Sequence, residues 1–109
     1  MLFKNAQLKA ERSYTDPDSF VRDNGSEVLK GDDWRERKLE LHRRSQGRCE
    51  RFTVLHKAHD AFCYGEGGEP HHIVPRWPTR DDRLSNLADL SHACHRAEDE
   101  RKIGGRHAR

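Results

Sequence analysis

Apolar residues are thinly spread along this chain, and the first thirty or so positions sustain neither a strand period nor a helical one. Turn-forming clusters punctuate that stretch at Thr15-Asp16-Pro17-Asp18-Ser19 and Asp23-Asn24-Gly25-Ser26. Residues 1–31 therefore read as a loosely structured N-terminal arm, with a short helix near its start. From Trp34 the pattern changes. Trp34, Lys38, Leu41 and Ser45 fall on one helical face, with Leu39 beside it. Asp32 or Asp33 is the expected N-cap and Gly47 the expected stop, giving a helix of roughly three turns.

Beyond Gly47, residues 48–55 read as a short strand or a knuckle, and 56–62 are ambiguous. Gly65-Glu66-Gly67-Gly68 is a flexible turn, and Pro70 pushes Glu69 into extended geometry. His71-His72-Ile73-Val74 is then a candidate strand, ended by Pro75. A polar loop over 76–83 leads to a returning segment, 84–90. Ser91 is the expected N-cap of a second helix running to about Lys102, stopped by Gly104-Gly105. The order predicts a small α+β domain over 32–103, preceded by the arm and followed by a basic tail, 104–109. Its strand, loop, strand and helix form a unit that can hold an ion between hairpin and helix.

Composition narrows the classes. Of 109 residues, 37% are charged and only 32% hydrophobic, so any core is thin. No run approaches the ~20 apolar residues of a membrane-spanning helix, so no membrane partner is expected. Met1-Leu2-Phe3-Lys4-Asn5-Ala6 lacks the apolar stretch of a secretory leader, and three cysteines are too few for a disulfide scaffold. A reducing cytoplasm is the expected compartment, with thiols used as ligands or left free. The net charge of +2 conceals a local excess, since residues 34–51 carry seven basic and three acidic side chains. That block is either a phosphate-contacting face or a solvated, ion-paired helix.

Eight histidines in so short a chain direct attention to chemistry. His71 and His72 are neighbours on the candidate strand and point to opposite faces, so they cannot share one role. One can coordinate a cation while the other acts as a base, a task suited to an imidazole at cellular pH. His95 and Asp99 lie four apart on the second helix and can bind the same ion. Asn86 offers an amide that can hold an imidazole in one orientation. Two half-exposed strand histidines and an ordinary charged helix end remain the bland alternative. His42, His56, His59 and His107 read as surface residues, and Trp34 and Trp77 as packing residues.

The set His71-His72-Ile73-Val74-Pro75, Asn86-Leu87 and Leu90 with Cys94-His95 resembles the HNH endonuclease motif, the ββα-metal fold. A basic helix followed by Gly47-Arg48-Cys49-Glu50 is similar to that family's preamble, and the likeness covers roughly 34–102. The resemblance implies a DNA endonuclease or nickase, of the small stand-alone kind found in phages and bacteria, acting in a bacterial or phage-infected cytoplasm. It implies that His71 and His95 are ligands of a divalent ion, Mg²⁺ or Mn²⁺, and that His72 is the general base. Asn86 would position the loop and His72. Asp99 is the candidate third ligand, with Glu98 in reserve. The implied products are a 5′-phosphate and a 3′-hydroxyl. Arg35, Arg37, Lys38, Arg43 and Arg44 on the basic helix, with Arg76, Arg80 and Arg83 in the loop, would grip double-stranded DNA.

The chain departs from the family in its cysteines. Many relatives carry a structural Zn²⁺ on two cysteine pairs, whereas here Cys49, Cys63 and Cys94 leave Ser91 where the fourth ligand belongs. His92 can complete a Cys₃His set, His59 is another candidate, and plain buried thiols are the alternative. Two other functions stay open: a non-catalytic, zinc-stabilised nucleic-acid-binding module, and an assembly factor whose N-terminal arm docks a larger partner. Cutting both strands with one site would call for a homodimer.

Overall fold

The computed structural model describes residues 14–107, with side chains as far as Glu100. Strands β1 (Phe20–Val21) and β2 (Glu27–Val28) form a small antiparallel hairpin. Helix α1 spans Gly31–Ser45. A second hairpin pairs β3 (Glu69–His72) with β4 (Leu87–Leu90), a short 3-10 turn at Leu84–Asn86 leading into β4, and helix α2 runs over His92–His107. The protein is thus a small α+β structure with two short hairpins and two helices. Among the described residues, no helix is long and apolar enough to cross a membrane.

The apolar core is as thin as the composition implies. β4 is buried at every position, and Leu87, Leu90, Leu29 and Leu41 are its largest fully buried aliphatic side chains. Leu41 comes from α1 and Leu29 from the segment after β2, while Ala88 and Leu90 of β4 cluster with Cys49 and Cys94, against which Val54, Leu55 and Cys63 pack. At about 25 cal/mol per Å² so small a core stabilises the chain only modestly. Much of the remaining order comes from buried carboxylates that gather donors from distant segments.

Asp33 is the first example. It was an expected helix cap, but α1 begins earlier, at Gly31, and no side chain caps its start. The Asp33 carboxylate turns outward from the helix instead. It accepts from the Thr15 and Asp16 amides at 2.7 and 2.8 Å, and from the Ser19 and Thr15 hydroxyls at 2.7 and 3.1 Å. Residues 14–30, expected as part of a loosely structured arm, are fastened in this way, and Ser26, Val28 and Leu29 are buried. The proposed short helix near the start lies outside the described residues. The far end of α1 follows its residues closely: Arg43 and Arg44 oppose the dipole, and Gln46 and Gly47 adopt left-handed geometry (φ 57° and 76°).

The β3–β4 hairpin positions the site. Its register pairs Glu69 with Leu90, His71 with Ala88 and His72 with Leu87. The strand begins two residues before the expected one and ends at His72; Ile73 still donates to the Asn86 carbonyl at 2.9 Å, the next position of the register, where the partner segment is the 3-10 turn. Pro70 lies inside it, tolerated in a two-stranded ladder that needs few of its amides. Asp89 of β4 receives the Ser45 hydroxyl at 2.6 Å and the Gly68 amide at 2.6 Å. Gly67 must be glycine for this approach, since a Cβ there would sit 2.6 Å from the Asp89 carboxylate. Residues 48–66 form the knuckle, closed at its base by the Arg48–Glu66 bridge. Ser91 caps α2 as expected, its hydroxyl accepting from the Cys94 amide at 3.1 Å. The helix continues through Gly104-Gly105, which lower helix propensity but retain the N–H that the ladder uses.

Burial opposes ionisation of Asp33, Asp82 and Glu98, yet their donors outweigh it and hold all three below their ordinary values of 3.8 and 4.5. A carboxyl lowered by folding stabilises the fold above its unfolded value, and that contribution is lost as pH falls through the folded one. Acid should therefore unfold the protein progressively below about pH 4. Asp33→Ala should cost about 2–3 kcal/mol in urea denaturation at neutral pH, since it strands donors from three residues. A cost below about 0.5 kcal/mol would contradict the fastening role.

Candidate functional site

Helix α2 and strand β3 bring together His71, His95 and Asp99, each offering a ligand atom within 4.8 Å of the others. His71 is buried and meets the His95 ring edge-on, with centroids 5.6 Å apart. His95 and Asp99 share a face of α2 by their i, i+4 spacing, with Nε2 and Oδ2 4.0 Å apart. The spacing argument for these three residues therefore holds as geometry. The set of two imidazoles and one carboxylate suits a divalent cation.

Glu69, which no motif singled out, orients the set. It lies two residues before His71 and hence on the same strand face. Its Oε1 lies 2.8 Å from His95 Nδ1 and its Oε2 the same distance from His92 Nδ1. Hydrogen bonding to His95 lowers the Glu69 pKa, burial opposes the shift, and His92 adds to it. An ionised carboxylate only accepts, so His95 Nδ1 carries a hydrogen towards Glu69, and Nε2 is the ring nitrogen that faces Asp99. Strand alternation was the one signal that could have found Glu69.

His72 faces the other way. Its ring stacks on Trp34 of α1 at 5.7 Å, and its Nε2 lies 2.7 Å from Oδ1 of Asp82. Both histidines nonetheless border one cleft of about 370 Å³, together with Trp34, Lys38, Arg76, His95 and Asp99. Asn86 was expected to position the loop and His72. It does hold the loop, accepting from the Val74 amide at 2.9 Å and donating to the Asp81 carbonyl at 2.8 Å. The group that touches the His72 ring is Asp82, a residue the sequence motifs did not mark.

The cationic residues divide sharply. Lys38 and Arg76 are exposed and line the cleft, while Arg43 is exposed further along α1 and Arg35 pairs with Asp32 at the surface. Arg37 and Arg80 are committed inward, and Arg44, though exposed, is tied to partners within the fold. Arg37 joins Glu27, Glu40 and the Asp82 carbonyl; Arg44 joins Glu50 and the carbonyls of Leu84 and Leu87. Arg80 joins Asp82 and the Leu29 carbonyl. Arg83 pairs with Asp81. The positive block 34–51 is thus part exposed face and part internal bracing. Trp34 packs on His72, whereas Trp77, expected to pack, is 86% exposed.

A second cluster holds Cys49, His59, Cys63 and Cys94, again with ligand atoms within 4.8 Å. These four donors can hold a metal such as zinc. His92 is corrected as the fourth donor, because α2 turns it towards Glu69; His59, reached from the knuckle, stands in the cluster. Ser91 contributes its amide to Cys49 Sγ at 3.2 Å, and the Asp60 amide donates to Cys94 Sγ at 3.2 Å. Burial opposes ionisation of the Cys94 thiol, but hydrogen bonds from Ser91, Asp60 and His59 bring it down to about 6, which favours the thiolate that metals bind. Glu98, the reserve ligand, is removed from that role: Arg51 and Lys57 hold it at 2.9 Å each, bracing the knuckle against α2. Comparison with known proteins adds no identity, as no family model, curated protein or solved structure matches the chain.

Elemental analysis should find about one tightly held zinc per chain, as a closed four-donor site implies. His59→Ala should lose it and His92→Ala should keep it. Chelation should lower the melting temperature of the wild type, and an unchanged melting curve would count against the cluster as a metal site.

Proposed function

We propose that this chain is a metal-dependent endonuclease of the HNH type that hydrolyses phosphodiester bonds of DNA. One observation carries the reading: a three-donor cation set, His71, His95 and Asp99, shares a cleft with a separate histidine, His72. A cation-binding module has use for the three donors but none for an adjacent base. The order His71-His72, Asn86 and Cys94-His95 in the sequence supports the same conclusion, with the second hairpin and α2 as the ββα unit.

Within this reading each residue has a definite task. His71, His95 and Asp99 hold the ion, and Glu69 keeps the His95 imidazole in the tautomer that can coordinate. Bound there, a divalent ion such as Mg²⁺ or Mn²⁺ supplies positive charge to the scissile phosphate and to the departing 3′ oxygen. His72 takes a proton from the attacking water. Asn86 keeps the loop after β3 in place through Val74 and Asp81, and Arg76 of that loop borders the cleft. Arg76 and Lys38 neutralise backbone phosphate, and Arg35 and Arg43 extend that contact along α1 without reading bases. The products are a 5′-phosphate and a 3′-hydroxyl. The cysteine cluster, filled with zinc, anchors the start of α2 one residue before His95. A reducing bacterial or phage-infected cytoplasm would keep those thiols available. Duplex DNA is the proposed partner, and a homodimer would allow both strands to be cut.

A second reading is favoured by the completeness of the cysteine cluster, which needs nothing from the cleft: a zinc-stabilised nucleic-acid-binding module without catalysis. Plasmid nicking separates the two. The wild type should nick supercoiled DNA with Mg²⁺ or Mn²⁺, and His72→Ala should lower the rate at least ~100-fold while cation binding survives. Salt-sensitive DNA binding with no strand breaks under any divalent ion would establish the binding module instead.

A further inference from the structure

Asp82 is fully buried, yet it carries a negative charge in the middle of the fold. Its Oδ2 accepts from the Leu29 amide at 2.8 Å and from Arg80 Nε at 2.7 Å. Its own amide donates to the Glu27 carbonyl, and its carbonyl accepts from Arg37. The backbone and one carboxylate oxygen are therefore fixed by β2, the segment after it, α1 and the 76–83 loop. Only Oδ1 is left to face His72, and it lies 2.7 Å from Nε2. Burial opposes ionisation, but His72, Leu29 and Arg80 outweigh it and keep the carboxyl ionised at neutral pH.

We propose that Asp82 is the positioning residue for His72: it fixes the ring by its Nε2–H and leaves the lone pair on Nδ1 as the proton acceptor. The chemistry is forced by the inventory of groups. A carboxylate has no hydrogen to give, so a short contact with imidazole nitrogen requires N–H on the ring side. A neutral imidazole carries one hydrogen, and with Nε2 holding it Nδ1 must be bare. Trp34, stacked 21° from parallel on the ring, prevents it from tilting out of line with Asp82. When His72 accepts a proton at Nδ1, the resulting imidazolium is met by a carboxylate already in place, so nothing must reorganise. The N-terminal hairpin gains a purpose beyond docking a partner, because Leu29 and Glu27 hold Asp82 where His72 needs it.

The catalytic half of this inference rests on the endonuclease reading; the geometric half does not, and the test separates them. Full-length protein labelled with ¹⁵N-histidine, in magnesium buffer at mildly alkaline pH, reports the hydrogen positions on each ring by long-range ¹H–¹⁵N correlation, with His72→Gln assigning the signals. The expected wild-type pattern for His72 is hydrogen on Nε2 and a bare Nδ1. Hydrogen on Nδ1, alone or on both nitrogens, overturns the proposal, and that result needs no variant. In Asp82→Asn the preference for Nε2–H should weaken, and the nicking rate at saturating DNA should fall about 100-fold or more with KM and cation affinity retained. An Asp82→Asn protein that nicks at the wild-type rate overturns the positioning role. If the variant fails to fold, the wild-type spectrum decides. A wild type that shows Nε2–H but nicks no DNA with any divalent ion supports the Asp82–His72 pair and sinks the endonuclease reading.

Discussion

A carboxylate taken out of water must be met by hydrogen-bond donors, and in this protein that requirement determines which segments touch. Apolar burial alone could not do it, because the fully buried aliphatic side chains are a handful of leucines. Asp33 gathers residues 15–19 onto α1, Asp89 gathers Ser45 and the glycine turn before β3, and Glu98 gathers Arg51 and Lys57 from the knuckle. Asp82 does most, joining β2, α1 and the loop after β3. Each is a polar node in which both carboxylate oxygens have a partner. Such nodes specify geometry more sharply than a few leucines can, since hydrogen bonds are directional and hydrophobic contact is not.

The same device reaches into the cleft. Glu69 and Asp82 each hold a histidine by one ring nitrogen and thereby decide what the other nitrogen can do. The two pairs start from opposite faces of one strand and take different ring nitrogens: Glu69 holds His95 by Nδ1, and Asp82 holds His72 by Nε2. The second cluster adjoins the first through the backbone. Cys94 is the last sulfur of one candidate donor set and His95 belongs to the other, so α2 carries both from its first turns.

Much of this arrangement was legible from local rules. Strand alternation separated His71 from His72, the i, i+4 rule joined His95 to Asp99, and Ser91 was readable as the cap of α2. The misreadings share a cause. Asp32 and Asp33 stand where a helix cap should be, but the acceptor was needed more by the chain at residues 15–19. His92 is adjacent to the expected zinc position, yet a helix rotates neighbours by about 100°, so it lies off the cluster. Arg37, Arg44 and Arg80 look like a phosphate grip when counted as charge, and only their partners reveal them as bracing.

By itself the sequence determined the elements that hold the chemistry and the residue types at their ends, because the periods of strand and helix and the capping of Ser91 are local. It also determined that the core would be thin. Tertiary structure decided the partners of those residues. His95 meets Glu69 across 26 positions and Cys94 meets His59 across 35, contacts set by how the hairpin closes and where the knuckle folds back. Such pairings depend on the competition among all buried donors and acceptors at once. No window of sequence contains that competition, which is why the candidate donors His95 and Asp99 could be paired in advance and Glu69, which orients His95, could not.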